Sequence, residues 1–286
     1  MLRLIRPHQS VKNLVVVPLA LVQPASWHPD SAARVLFCVL AFTAMSGLVY
    51  IVNDVSDRER DRQHPVKRHR PVASGVVPVW LAWAFAALLA APLLLLTAAD
   101  PHLWWPMSAY ALLNMAYSRG LKHLALVDAM VVAAGFALRV LQGYEATRQP
   151  ADDWLVVFVF SASLLVSLGR RRHELSSGAR MQRPALARLS VSFLDHLLVV
   201  TAAVTAVALW EYLASESPAA GNGSVHLLLL APVALLVLFR YLELVMLRGS
   251  GGDAVQTLFR DRTLLGAVAV GGLIFAVTVV AVGRPT

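Results

Sequence analysis

Asn53-Asp54-Val55-Ser56-Asp57-Arg58-Glu59-Arg60-Asp61-Arg62-Gln63-His64-Pro65-Val66-Lys67-Arg68-His69-Arg70-Pro71 follows directly on an apolar run at 33–53. Asp54, Asp57 and Asp61 stand at i, i+3 and i+7. A helix continuing the apolar run would stack their carboxylates on one face. Like charges on one stripe repel each other. A hard divalent cation such as Mg²⁺, bound through carboxylate oxygens and still open to phosphate ligands, removes that conflict. The cations that follow, Lys67, Arg68 and Arg70, suit phosphate oxygens. The competing reading is a solvated loop of compensating charges. Position decides between the two: the block sits at the mouth of a membrane-length apolar run, where ionisable groups are costly and functional.

The composition is that of an integral membrane protein, 58% hydrophobic and 15% charged over 286 residues. Apolar stretches of bilayer-crossing length recur near 12–27, 33–53, 78–98, 103–118, 124–141, 153–169, 190–213, 225–246 and 263–282. The expectation is an all-α polytopic protein of about nine spans, the first and fourth short enough to be tilted or half-buried. Arg3, Arg6 and Lys12 precede a segment without a small-residue cleavage site, so no cleavable signal peptide is expected. The single cysteine, Cys38, lies inside a span and reads as a packing residue.

Lys and Arg concentrate in alternate connections: the N-terminus, 54–77, 118–124, 170–189 and 247–262. The positive-inside rule therefore puts the N-terminus and these loops in the cytoplasm and the C-terminus outside, in a cell (inner) membrane. Trp27, Trp104, Trp105, Trp154 and Trp210 fall at outer ends of spans, and Trp80 and Trp83 near an inner end, as interfacial belts require. The net charge of +8 is accounted for by topology and anionic headgroups, so no nucleic-acid partner is expected.

The basic connections carry further polar groups. Tyr117-Ser118-Arg119-Gly120-Leu121-Lys122-His123 precedes Asp128, and Gly169-Arg170-Arg171-Arg172-His173-Glu174 opens the next basic loop. All lie on the Asp54 side of the membrane. A topological anchor is the competing reading for Arg170–Arg172, and a helix–helix hydrogen bond for Asp128. Arg240 and Glu243, one turn apart, read as a local salt bridge. Arg139, deep in its span, reads as snorkelling outward or pairing with Glu145.

Asn53-Asp54-x-x-Asp57-x-x-x-Asp61 at the end of the second of nine spans resembles the first Asp-rich motif of the UbiA superfamily of intramembrane prenyltransferases. A narrower branch is also similar, the decaprenyl-phosphate phosphoribosyltransferases. The similarity lies in Asp61-Arg62-x-His64-Pro65-x-Lys67-Arg68-x-Arg70-Pro71-x-Ala73-x-Gly75, Arg6-Pro7-x-Gln9-x-Val11-Lys12-Asn13, Tyr117-Ser118-x-x-Leu121-Lys122-His123 and Gly135-Phe136-x-Leu138-Arg139. Ser10 departs from this branch, where an aromatic is expected. The resemblance implies one UbiA-like transmembrane domain over 1–286, with helices around a central cavity open to the cytoplasmic side. It implies Mg²⁺ on Asp54, Asp57 and Asp61 as the catalytic ligands. It implies a substrate-facing set of Lys12, Asn53, Lys67, Arg68, Arg70, Tyr117, Lys122, Asp128, Arg170, Arg171 and Glu174. The implied reaction moves 5-phosphoribose from phosphoribosyl pyrophosphate to a polyprenyl (decaprenyl) phosphate, on the route to a cell-wall arabinose donor. Membrane lipids are the surrounding partners, and a homo-oligomer stays open.

Aromatic prenyltransferases of the superfamily carry a second Asp-rich motif after the sixth span. Here Arg170-Arg171-Arg172-His173-Glu174 stands there instead. One metal-binding pole and one anion-binding pole suit two phosphorylated substrates. An acceptor phosphate is already anionic and needs no general base, in keeping with a chain that offers no Ser–His–Asp or Cys–His arrangement. Two alternatives remain at this point. One is a prenyltransferase using a prenyl diphosphate and an aromatic or other small acceptor. The other is a transporter or flippase of a phosphorylated lipid, against which stands the lack of an internal repeat.

Overall fold

The computed structural model describes Leu4, Asn13 and residues 30–63, 65, 67–177, 189–215, 223–249 and 260–282, with side chains of 223–228 and 278–282 left aside. The apolar run at 12–27, with Lys12 and Trp27, lies outside these residues. Every regular element described is helical. In chain order they are α1 (Ser31–Ser56), α2 (Arg58–Gln63), α3 (Val79–Ala99), α4 (Pro101–Arg119), α5 (Val127–Thr147), α6 (Asp153–Ser176), α7 (Val191–Ser215), α8 (Gly223–Met246) and α9 (Arg262–Val282). Single 3₁₀ turns stand at Lys67–His69 and Leu121–His123.

Six of the described helices, α1, α3, α5, α6, α7 and the Leu229–Met246 part of α8, are long and apolar enough to cross a membrane. The chain is a multi-pass membrane protein. Helix α4 occupies the expected fourth span but is more polar, with His102, Asn114 and Arg119 along it. Its Trp104 is not in an interfacial belt: it is buried in the core, where its ring edge meets Phe37. Trp80, Trp83, Trp105, Trp154 and Trp210 are exposed, as belt residues are.

Local chemistry sets the helix ends. The Asp100 carboxylate, just past α3, accepts the Leu103 backbone N–H at 2.9 Å and caps α4. Asp152 caps α6 through Leu155 N at 2.8 Å, and Asp261 caps α9 through Leu264 N at 2.8 Å. Each carboxylate satisfies a helix-end donor that bilayer hydrocarbon cannot.

The chain divides into two compact units. One comprises residues 1–119 and 138–151, the other 120–137 and 152–286, so α5 contributes to both. In the first, α1 packs on α3 and α4. One core there gathers Cys38, Phe42, Met45, Trp104, Met107 and Tyr110, with Cys38 in the packing role its position predicts. A second core joins Leu4, Ile51, Val72, Val77, Ala82 and Ala86, anchoring the loop before α3 to the end of α1. In the second unit α6 packs on α7, α7 on α8, and α8 on α9. Its core includes Ala129, Leu165, Leu168, Leu194, Leu198 and Val245.

Candidate active site

In the first unit, helix α1 runs on past its apolar stretch and carries Asn53 and Asp54 at its last turns. It is interrupted at Asp57, where the backbone leaves helical geometry (φ −93°, ψ 5°). The bonds from Asp57 N to Asn53 O (2.8 Å) and Asp61 N to Asp57 O (2.9 Å) carry the chain across the break into α2. The expected single stripe is therefore divided. Asp54 and Asp61 are buried at 1% and 3% exposure, while Asp57 is only half-buried.

The repulsion anticipated between these carboxylates is met by Arg70. One guanidinium nitrogen lies 2.6 Å from Asp61 Oδ2 and 3.3 Å from Asp54 Oδ1. Arg70 reaches them because the chain folds back after the 67–69 turn. Ser74 N bonds to Arg70 O at 2.8 Å, Val77 N bonds to Pro71 O at 2.9 Å, and Arg62 Nε donates to Ala73 O at 3.1 Å. Gly75 makes the turn with φ +81°, a conformation that favours glycine. Lys67 and Arg68 stay exposed on the same loop. Asn53 Oδ1 is met by the Ser118 hydroxyl, which also lies 2.8 Å from the Asn114 carbonyl. Tyr117, one residue earlier, is half-buried.

Among the described residues no three Asp, Glu, His or Cys side chains form a ready metal cluster. Asp54 and Asp61 converge, and Asp57 does not complete a triad with them. The donor set is nevertheless the right kind for Mg²⁺: carboxylate oxygens, already drawn around a positive charge.

In the second unit, Asp128 opens α5 at 4% exposure, and its Oδ2 lies 2.9 Å from Arg171 Nε. Arg171 NH1 also donates to Glu174 Oε2 at 2.6 Å. Arg171 is thus held between two carboxylates, as Arg70 is in the first unit. Arg172 has another employment. It pairs with Asp195 and donates to the Val245 and Met246 carbonyls at 2.9 Å each, closing the C-terminal end of α8. His173 Nδ1 meets the Gly249 carbonyl at 2.5 Å. Arg170 is exposed, and Lys122 is half-buried in the Leu121–His123 turn. Gly169 is required by a close approach: a methyl group there would come within 2.5 Å of the Tyr241 hydroxyl.

Two groups differ from expectation. Arg139 neither snorkels nor is seen on Glu145, whose Oε1 accepts from Trp105 Nε1 at 2.8 Å. It turns inward, donating to Asn13 Oδ1 at 2.6 Å and the Tyr110 hydroxyl at 3.1 Å, with its guanidinium over the Phe42 and Tyr110 rings. Ring faces and an amide oxygen solvate the cation inside the bundle. Arg240 and Glu243 do pair, at 2.6 Å, but Arg240 also grips Asp261 through two bonds of 3.1 and 2.6 Å. The partners missed in sequence were Asp195 and Asp261, which lie 23 and 21 residues from the arginines they hold.

The profile of the UbiA prenyltransferase family matches residues 14–264. The chain belongs to the UbiA prenyltransferase family. It is similar to the decaprenyl-phosphate phosphoribosyltransferase of Mycolicibacterium smegmatis, at 34% identity over 74% of this chain and 70% of the relative. It is also similar to the enzyme of that name from Corynebacterium glutamicum, at 31% identity over 92% of this chain and 82% of the relative. Its fold is that of a UbiA homolog from Archaeoglobus fulgidus bound to GPP and Mg²⁺, with a TM-score of 0.67, 17% identity and coverage of 98% and 99% of the two chains. The UbiA family member is a membrane-bound transferase.

Proposed function

We propose that this UbiA protein transfers 5-phosphoribose from phosphoribosyl pyrophosphate to a polyprenyl (decaprenyl) phosphate, releasing pyrophosphate, in the service of cell-wall arabinose donor synthesis. The observation that carries the reading is the guanidinium-rich C-terminal end of α6, where Arg170 is exposed and Arg171 is fixed by Asp128 and Glu174. The exposed Arg170 guanidinium, beside an Arg171 already held by carboxylates, suits a phosphorylated acceptor better than a neutral aromatic one. The names of the similar mycobacterial and corynebacterial enzymes support the same donor and acceptor.

Asp54, Asp57 and Asp61 would hold Mg²⁺. When bound, the ion supplies positive charge against the departing pyrophosphate. Lys67, Arg68 and Arg70 bind the remaining donor oxygens, and Asn53 and Tyr117 line the same end of the first unit. Lys122, Arg170 and Arg171 bind the acceptor phosphate. Its oxygen attacks ribose C1 as the C1–O bond to pyrophosphate breaks, and positive charge develops on the ring. No proton has to be removed, so the protein contributes positioning and electrostatics. Both poles work on the cytoplasmic side, where the basic loops belong.

The test incubates purified protein with Mg²⁺, phosphoribosyl pyrophosphate radiolabelled in the ribose and a polyprenyl phosphate. Label should pass into the lipid extract only when all three are present. Transfer of a prenyl group to an aromatic acid, with phosphoribosyl pyrophosphate ignored, would replace this reading with the general prenyltransferase one.

A further inference from the structure

A cavity of about 200 Å³ lies in the first unit, at the end of α1 opposite Asp54. Arg34 and Asp54 are twenty residues apart on one helix, on the order of 30 Å, so the cavity sits about one hydrocarbon thickness away from the Asp54 end. It does not belong to the site described above. Its walls carry both signs of charge: Arg34, Arg148 and His102 against Asp100 and Glu145. Its floor is apolar, made by Cys38 and Leu103, with Phe37 half exposed at the mouth.

Two features suggest that this is a built site. Arg34 is fixed in place, its Nε donating to the Ala146 carbonyl at 2.9 Å. Arg148 stands in a left-handed conformation, φ +57°, just past the end of α5. The bonds from Arg148 N to Glu145 O (3.2 Å) and Gln149 N to Tyr144 O (3.3 Å) mark it as the helix-ending position that glycine normally fills. Backbone strain held in a side-chain-bearing residue points to a use for that side chain. Next to the floor, Gln142 is fully buried. Its amide nitrogen donates to Leu103 O at 2.8 Å, while its Oε1 has no hydrogen-bond partner among the described residues.

We propose that this cavity binds the headgroup of a membrane phospholipid carrying a phosphate ester and a primary amine, in the leaflet opposite the Asp54 end. The volume is below the range of sites for whole drug-sized ligands and suits a headgroup. Arg34 and Arg148 take the phosphate, and Glu145 and Asp100 take the ammonium. Two arginines balance two carboxylates, so an anion lacking the amine meets repulsion from the acidic wall. From the mouth, Phe37, Leu36 and Leu40 line α1 at 48%, 56% and 60% exposure, an apolar track for an acyl chain.

Native mass spectrometry of the purified full chain, with phosphatidylethanolamine, phosphatidylglycerol or phosphatidylcholine added, is the test. The wild type should retain phosphatidylethanolamine roughly tenfold more tightly than the other two. Arg148→Gly removes one phosphate partner and should weaken retention of phosphatidylethanolamine about tenfold, while leaving the melting temperature unchanged or raised, because glycine relieves the strained position. Glu145→Gln leaves Arg148 in place and should lose discrimination against phosphatidylglycerol, which serves as an independent check. Equal retention of the three lipids by wild type, unchanged retention of phosphatidylethanolamine by Arg148→Gly, or undiminished discrimination in Glu145→Gln, overturns the proposal. So does soluble phosphoethanolamine competing as well as the lipid, since the ligand would then come from solution.

Discussion

Arg70 and Asp61 lie nine residues apart in the chain and 2.6 Å apart in space. The same guanidinium nitrogen holds Asp54 at 3.3 Å, so one cation serves two carboxylates that are nearly withdrawn from solvent. One of the two negative charges at this end of α1 is therefore neutralised within the fold, and a bound metal ion would share the carboxylates with a resident guanidinium. The first prediction follows from that competition. Arg70→Ala should lower the melting temperature without Mg²⁺, in line with a loss of about 1–3 kcal/mol for buried groups deprived of a partner. Added Mg²⁺ should restore most of it, and the variant should need less Mg²⁺ for half-maximal activity while turning over more slowly. Melting curves that ignore Mg²⁺ in this variant would remove the ion from these carboxylates.

The break at Asp57 separates two kinds of damage. Asp61→Asn weakens the Arg70 contact and should cost both stability and turnover. Asp57→Asn lies in a half-buried position. It should leave melting close to wild type yet reduce turnover by about 100-fold or more, as removal of a metal ligand does. Circular-dichroism melts beside initial rates, with and without EDTA, would check both. A near-normal rate for Asp57→Asn would exclude it as a ligand.

The arginines near the C-terminal end of α6 divide by what they touch. Arg172 pairs with Asp195 and closes α8 through two carbonyls, so Arg172→Ala should destabilise by about 3 kcal/mol, the scale of a broken buried pair. Arg170 is exposed, and Arg170→Ala should be silent in melting. It should raise the apparent KM for the polyprenyl phosphate about tenfold, the equivalent of roughly 1.4 kcal/mol. Steady-state kinetics with each substrate varied in turn would separate the two roles. The reverse pattern would mean that Arg172 binds substrate and Arg170 carries structure.

Asp261 gives a pH dependence with a definite sign. Hydrogen bonds from Arg240 first, then from Leu264 N, bring its carboxyl from 3.8 down to about 2. A depressed acid stabilises the fold above its unfolded value and loses that contribution as pH falls through the folded one. The melting-temperature gap between wild type and Asp261→Asn should hold from pH 7 to about pH 4, then close as pH approaches 2. A gap that widens toward acid would contradict the assignment.

How far this was legible in sequence depends on distance along the chain. The apolar runs marked the helices because each is a local pattern, whereas the Asp stripe was legible only in its spacing, which gives no sign of the helix break at Asp57 that divides it. Arg240 with Glu243, one turn apart, was equally readable. Arg70 reads in sequence as a cation suited to phosphate, with no sign of its hold on Asp54 and Asp61. That contact depends on the Pro71–Val77 fold-back, in which Val72 and Val77 join the core around Ile51. Arg172 looked like a topological charge because Asp195 sits on the next helix. Arg139 was misread for want of tertiary information: its solvation comes from Asn13, Phe42 and Tyr110, brought together only by packing.

That inward-turned arginine bears on how the protein reaches the bilayer. Helix α5 is the least apolar of the six long apolar helices and carries Arg139 and Gln142 on buried faces. Entering lipid alone, a mid-helix arginine costs about 2.5–3.5 kcal/mol on the translocon scale. Asn13, Phe42 and Tyr110 all precede it in the chain and emerge from the ribosome first. The segment is thus equipped to integrate against helices already in place, and its insertion is conditional on them. Truncation upstream of α5, or Asn13→Leu together with Tyr110→Phe, would strand it at the translocon and expose the nascent chain to proteolysis before any substrate is met.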